Sequence, residues 1–429
     1  MSSPLKMNRK IILFILSQTV SLLGSALVQY AIVWHITLET QSGAMLTIAI
    51  LCGFLPTFFL SPYAGVWADR YNRKNLIALA DAMIAVFTLL LAILFMNGQR
   101  MMWLLFAVSA MRSIGSAIQT PAVNALIPQL VPEGQLMKVN GINGSIQSIV
   151  ALGAPFLSFL LMTMMSIEIV FFIDVITAAI AIAILMFYLR VPTHEGAGRQ
   201  KASYFKEIRE GLSYIGGQPY LKAFFAFSAL FYILFAPCAF LTTLQVTRVF
   251  GDDEWRLLAI EVTFSIGMMI GGGIMTLWGG FKNRARTMAV AMSLFGVGTL
   301  LLGVVPSLGG HTGLPVAFWI YAGVMALLGI VMPAFNIPST VVLQERVDAA
   351  FHGRIFSIMS MISGIMMPLG MLVFGPLADV VEIEWMLLVT GVLICVEGVL
   401  LFGNRPLRAV GQPMEKANAL AGPIEYAAE

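Results

Sequence analysis

Gly65-Val-Trp-Ala-Asp69-Arg70-Tyr-Asn72-Arg73-Lys74 is a cluster of charge between two long apolar runs, Ala44 to Trp67 and Leu76 to Met96. Each run has roughly the 20 residues that an apolar helix needs to cross about 30 Å of hydrocarbon. A short connection carrying Asp69, Arg70, Arg73 and Lys74 between two such helices has to lie at a membrane surface, because charge is expensive inside the bilayer. Its three cations assign it to the cytoplasmic surface, where loops accumulate Lys and Arg.

Composition agrees. Of 429 residues, 59% are hydrophobic and only 11% charged, against the roughly 25% charged share of a soluble domain. Mean hydropathy is +0.88. The chain is therefore an all-α integral membrane protein, since the weaker two-residue alternation of a transmembrane barrel is missing and lipid tolerates no unpaired backbone. A net charge of +3 with scattered basic residues gives no nucleic-acid patch. Cys52, Cys238 and Cys395 fall inside apolar runs without metal-like spacing. They call for neither disulfides nor a metal, and no cofactor is implied. The first run is longer than a signal-peptide core and is expected to be retained.

Apolar runs predict twelve spans near residues 11–36, 44–67, 76–96, 101–127, 139–164, 168–189, 221–247, 257–280, 287–306, 315–343, 355–378 and 384–403. Of the 25 Lys and Arg, 21 lie in the N-terminal, even-to-odd and C-terminal segments, three in the opposite loops, and Arg112 within a span. Both termini are therefore expected in the cytoplasm of a plasma-membrane protein. The expected divisions are a bundle at 1–189, a cytoplasmic linker at 190–220, a second bundle at 221–403 and a tail at 404–429. Within the linker Phe205, Ile208, Leu212 and Ile215 share a helical face opposite Lys206, Glu207, Arg209 and Glu210, predicting an amphipathic helix that ends at Gly216-Gly217.

The halves repeat. Trp67, Asn72 and Arg73 recur 211 positions later as Trp278, Asn283 and Arg284, and Pro121-Ala122-x-Asn124 recurs at an offset of 212 as Pro333-Ala334-x-Asn336. Glu133 and Gly141 recur as Glu345 and Gly353 at that same offset, while Asp69 has Gly280 as its counterpart. An even-numbered unit duplicated in this way gives parallel six-helix halves, with a site expected between them at mid-depth.

The pattern G-x-x-x-D-R-x-x-R-K at Gly65 to Lys74 resembles the signature loop of the major facilitator superfamily. Where that loop usually has glycine this chain has Asn72, which tolerates the left-handed turn expected there. Arg112-Ser-Ile-Gly115, Thr120-Pro-Ala-Val-Asn124-Ala125, Leu130-Val-Pro-Glu-Gly-Gln-Leu136, Gly53-Phe-Leu-Pro56 and Gly375-Pro-Leu-Ala-Asp379 look like the macrolide-efflux branch of drug exporters. The resemblance implies the facilitator fold and export of a hydrophobic, often cationic, compound in exchange for protons. It also implies a gate in which Asp69, Arg70 and Arg73 latch, with the end of the eleventh helix as a candidate partner. Gly153-Ala-Pro155 keeps the core of the antiporter signature in the fifth helix, but Phe156 to Phe159 replace its later glycines.

Candidate transport residues come from their position in the spans. Arg112 lies near the middle of the fourth span, where an ionised side chain costs about 2.5–3.5 kcal/mol or more. It needs either an acid such as Asp81 as a structural partner or a role in proton transfer, the role that the family pattern implies. Asp81, Asp174, Glu261 and Glu397 are carboxyls at membrane depth, and the first three join Arg112 as candidates for proton coupling. Gln18, Ser21, Ser25 and Gln29 form one stripe on the first span, and Arg112, Ser116 and Gln119 another on the fourth. Such stripes face water or protein rather than lipid. The resemblance makes them cavity walls, joined by Tyr232 and Asn336, while hydrogen bonding between helices is the competing explanation. Gly267-x-x-x-Gly271 and the prolines Pro121, Pro155, Pro237, Pro333 and Pro368 are packing and bending devices.

The function expected is proton-coupled efflux by a monomeric secondary transporter. Two alternatives stand beside it: transport of another solute, such as a siderophore or metabolite, and a membrane-embedded enzyme or non-transporting scaffold. With only His35, His194, His311 and His352, and no Ser/His/Asp set, the enzyme alternative has little chemistry to draw on.

Overall fold

A computed structural model describes residues 9–131, 136–189, 204–348 and 351–412. Glu133 lies outside the described residues, as do the side chains of Asp69, Phe205, Lys206 and Glu207. Two compact units emerge: Met1–Gln41 with Met45–Gln200, and Ser42–Ala44 with Lys201–Glu429. No strand occurs among the described residues.

The first unit holds α1 (Arg9–Thr40), α2 (Gly43–Arg70, whose first residues group with the second unit), α3 (Arg73–Met96), α4 (Met102–Leu130), α5 (Leu136–Met164) and α6 (Ile167–Ala183), the last extended by one π turn to Tyr188. Its core is two apolar clusters. Leu27, Ile32, Phe95, Leu105 and Phe171 anchor one, and Phe14, Ile77, Leu126 and Leu185 the other. On α1, α3, α4 and α6 the polar residues fall between those clusters, so the chain pattern itself sandwiches a polar layer between two greasy ones.

The second unit holds α7 (Tyr204–Gly217), α8 (Pro219–Ala236), a π turn Pro237–Leu241, α9 (Thr242–Val249), α10 (Glu254–Trp278), α11 (Arg284–Thr312), α12 (Leu314–Arg346), α13 (His352–Leu377), α14 (Ile383–Gly403) and α15 (Arg405–Val410). Pro237 has no N–H to donate, which fits the local switch from α to π. Phe231, Phe235, Phe295 and Phe335 stack in its core, with Phe231 and Phe335 centroids 4.5 Å apart. Gly267 and Gly271 lie against the backbone of Ala326 and Ile330, where any Cβ would collide, so α10 and α12 touch main chain to main chain. In lipid, where apolar burial gives no drive for helices to associate, such close packing is what holds them.

All twelve expected spans fall within helices or overrun them by at most two residues at an end, the sixth including the π turn after α6 and the seventh comprising α8, the π turn and α9. Among the described residues eleven helices are long and apolar enough to cross a membrane. The fourth, α4, has 29 residues but owes its lower hydropathy to Arg112 and its polar neighbours. In the stretch read as a linker, α7 runs over Tyr204–Gly217. Its Ile215 is buried, Leu212 is exposed, Glu210 pairs with Arg354 at 3.1 Å, and Tyr214 stacks on Phe351.

The repeat is visible in local geometry. α3 and α11 start 211 positions apart, and Asn72 and Asn283 cap them by accepting from backbone N–H groups two or three residues on. This corrects the expected left-handed turn. Asn72 has φ −62° and extended backbone, so the residue serves as an N-cap acceptor, for which asparagine is among the best side chains. The copies differ before that cap. α2 continues helical to Arg70, whereas α10 stops at Trp278 and turns through Gly279 and Gly280 at φ +71° and +79°, conformations that glycine adopts without strain.

Candidate functional site

Four helices of the first unit converge on one buried polar network. On α3, Asp81 accepts from the Ser21 hydroxyl of α1 at 2.9 Å and from the Gln119 amide of α4 at 2.6 Å. Its Oδ2 is buried without a partner among the described residues, as is Gln18 Nε2 nearby in sequence to Ser21. On α4, Arg112 pairs with Asp174 of α6, donates to Thr88 of α3 and reaches the Ser25 carbonyl of α1 at 3.1 Å. The Ser25 hydroxyl lies 3.4 Å from Asp174 Oδ1.

The charges do not balance evenly. Arg112 and Asp174 neutralise one another at 5% and 1% exposure, leaving Asp81, also 1% exposed, with dipoles but no cation. A buried ion pair stands only where its geometry and added hydrogen bonds offset desolvation, which Thr88 and the Ser25 carbonyl do here. The expected Arg112–Asp81 partnership is thus replaced by Arg112–Asp174.

A cavity of about 210 Å³ opens beside this network, lined by Ser25, Gln29, Ser109, Arg112, Ser113 and Ser116 among others. Three predicted wall residues, Ser25, Gln29 and Ser116, therefore share it with Arg112. Gln119 instead completes the Asp81 cluster, so in its case the hydrogen-bonding alternative describes the contact. The cavity is below the roughly 300–1,000 Å³ of drug-sized pockets. Within this unit alone it can take water or one functional group of a substrate.

The remaining candidates belong to the second unit or to the signature loop. Tyr232 is buried beside Phe231 in the second unit, and Asn336 is half-buried on α12. Glu261 is half-buried on α10. In the signature loop, Gly65 is half-buried and Arg70 exposed. Arg73 donates to the Ala68 and Ala125 carbonyls at 2.9 and 2.8 Å, and Lys74 to those of Met186 and Leu189 at 3.0 and 2.8 Å. In the second copy Arg284 pairs with Glu345. At the end of the eleventh span, Asp379 accepts from Gly43 N–H at 2.7 Å, Ala44 N–H at 3.0 Å, the Ser42 hydroxyl at 2.8 Å and Arg248 at 3.0 Å.

Sequence reasoning missed Thr88 and Ser109. Thr88 stands seven residues after Asp81 and Ser109 three before Arg112, so helical periodicity extended from each charge would have found both.

A family model described as Major Facilitator Superfamily matches residues 14–310. Macrolide efflux protein A of Streptococcus pyogenes is 30% identical over 381 residues, 88% of this chain and 92% of that protein. The staphyloferrin A transporter of Staphylococcus aureus is 24% identical over 404 residues, 92% of this chain and 96% of that one. Among solved structures, the nucleoside transporter NupG superposes with a TM-score of 0.68 at 19% identity, covering 92% of this chain and 99% of the other.

Proposed function

The chain belongs to the major facilitator superfamily, and from that premise we propose that it is a proton-coupled exporter of hydrophobic drugs, macrolides among them. It sits in the plasma membrane as a monomer with both termini cytoplasmic and works by alternating access between its two six-helix halves. The coupling residues are Asp81 and the Arg112–Asp174 pair. The observation that carries the proposal is Asp81 itself, a buried carboxyl with one oxygen unpartnered and no cation within reach among the described residues. Gaining or losing a proton there changes the net charge of the network, whereas Asp174 is committed to Arg112.

Ser25, Gln29 and Ser116 offer hydrogen bonds to one polar group of a drug, and Tyr232 and Asn336 contribute from the second half. Asp69, Arg70, Arg73 and Lys74 form the cytoplasmic gate, in which the carbonyl contacts of Arg73 and Lys74 fix the loop and exposed Arg70 remains to engage. The similarity to macrolide efflux protein A supports the substrate class.

Efflux of a macrolide panel and of lipophilic cations from everted vesicles, with and without protonophore, tests this. Macrolide movement abolished by protonophore is the expected result; movement unaffected by it would refute the coupling. The second reading is transport of a siderophore, favoured by the similarity to the staphyloferrin A transporter along nearly the whole chain. Staphyloferrin A as a competitor in the same vesicles separates the two.

A further inference from the structure

The second unit carries a pocket that transport chemistry does not use. It measures about 200 Å³ and is lined by Asn283, Arg286, Leu401, Phe402, Arg408 and Gln412 with Ala285. Segments 281–287 and 401–412, which enclose it, hold Lys282, Arg284, Arg286, Arg405 and Arg408 and no acid. Arg284 is engaged with Glu345. For Arg286 and Arg408 no carboxylate lies within salt-bridge distance among the described residues.

The pocket is built rather than incidental. Short α15 is fastened to the start of α11 by Arg284 N–H to the Gly411 carbonyl at 2.8 Å, and by the Asn283 amide to the Arg408 carbonyl at 2.7 Å. Arg346 clasps the next carbonyl, that of Gln412, at 2.5 Å. The Arg286 guanidinium stands over the rings of Phe281 and Phe402 at 5.2 and 5.7 Å, which fixes its position while leaving its N–H groups available. Below the cations the wall is apolar, and exposed Trp278 meets Phe281 edge-on at 5.0 Å. Aromatic residues of this kind mark the depth of the lipid headgroups.

We infer that this pocket binds the phosphate of an anionic membrane lipid. The cations meet the phosphodiester, and the exposed ring of Phe402 meets the acyl chains, a feature that free phosphate could not use. Guanidinium groups suit phosphate oxygens because their planar N–H fork can bond two at once. Basic pockets between spans on the cytoplasmic side are suited to such headgroups, and the Lys and Arg bias puts this end of α11 on that side. The inference is independent of which solute is carried.

Native mass spectrometry of the full-length chain, released from micelles doped with phosphatidylglycerol or phosphatidylcholine, with inorganic phosphate as a competitor, tests it. Phosphatidylglycerol should be retained and phosphatidylcholine lost. The Arg286→Gln/Arg408→Gln double variant should bind phosphatidylglycerol roughly 30-fold more weakly, about five-fold for each arginine. An Arg286→Lys/Arg408→Lys variant keeps the charge and should stay within a few-fold of the unaltered chain. Equal retention of the two lipids by the unaltered chain would overturn the inference even if the glutamine variant failed to fold. So would an unchanged affinity in that variant, or inorganic phosphate displacing the lipid as readily as added phosphatidylglycerol does.

Discussion

Arg112 on α4 and Asp174 on α6, 62 positions apart, meet in a salt bridge whose side chains are 6% and 1% exposed. Removing one partner strands the other as a buried charge, which costs about 3–5 kcal/mol, whereas removing both leaves no uncompensated charge. Arg112→Gln and Asp174→Asn should each lower the unfolding temperature of the purified protein sharply. The double variant should be more stable than either single one, a non-additivity expected of residues in direct contact. Additive losses would mean that the pair is not the unit of stability.

Asp81 should separate coupling from folding. Asp81→Asn preserves shape and keeps an oxygen for Ser21 and Gln119, so insertion and elution behaviour should be unchanged. Efflux driven by a pH gradient should fall to background, while exchange of labelled for unlabelled drug without a gradient continues. Retained gradient-driven efflux would move the proton site elsewhere, with Asp174 the next candidate.

α6 lies close against α1 at Gly24. A Cβ there would overlap the Thr177 hydroxyl and lie 3.0 Å from Asp174 Oδ1. Gly24→Ala should therefore cost about 1–3 kcal/mol by overpacking and disturb the Arg112–Asp174 pair with it. Gly153, whose Cβ position meets nothing within 4 Å, is the control. Gly153→Ala should be neutral or stabilise by about 0.5–1 kcal/mol, the usual gain in a helix interior. Thermal unfolding of the two variants side by side checks both.

The twelve spans and the duplication were legible in the sequence because hydrocarbon imposes one period and one length on every crossing helix. Spacing on one helix also fixes which residues share a face, as for Ser25 and Gln29 beside the cavity, while Ser21 and Gln119 of the same stripes turn to Asp81. Which acid faces Arg112 was not legible. Depth along the helices decides it: Arg112 meets Thr88, seven residues or about 10 Å along α3 from Asp81, while Asp81 meets Gln119, seven residues along α4 from Arg112. Asp379 was hidden for a similar reason. Two of its partners are backbone N–H groups at the first residues of α2, more than 330 positions away, and no side-chain pattern announces those. Asn72 could have been read correctly, since an asparagine immediately before a helix is an N-cap signal.

Asp379 gives a pH test outside the spans. Burial alone would raise its affinity for a proton, but the Ala44 and Gly43 N–H groups, the Ser42 hydroxyl and Arg248 outweigh that and hold it below the ordinary carboxylate value. A depressed folded-state value contributes stability that is fully present above the unfolded value, near 3.9 for Asp. That contribution disappears as pH falls through the lower folded one. The difference in unfolding temperature between the unaltered chain and Asp379→Asn should therefore be constant above about pH 5 and shrink on acidification below about pH 4. A difference that grows on acidification would reverse the assignment.

Glu397 on α14 makes the opposite case from Asp81. It is 1% exposed, and neither carboxyl oxygen has a hydrogen-bond partner among the described residues. Burying a polar group without compensation costs about 1–3 kcal/mol on the scale of protein substitutions. An apolar side chain of similar length should recover that amount. Glu397→Leu is accordingly expected to raise the unfolding temperature and leave gradient-driven efflux intact, whereas Glu397→Gln, which keeps a buried amide, should change little. Efflux that loses its dependence on the pH gradient in Glu397→Leu but survives in Asp81→Asn would exchange the roles of the two acids, because a carboxyl retained against its own desolvation would then have a function in the second unit to explain it.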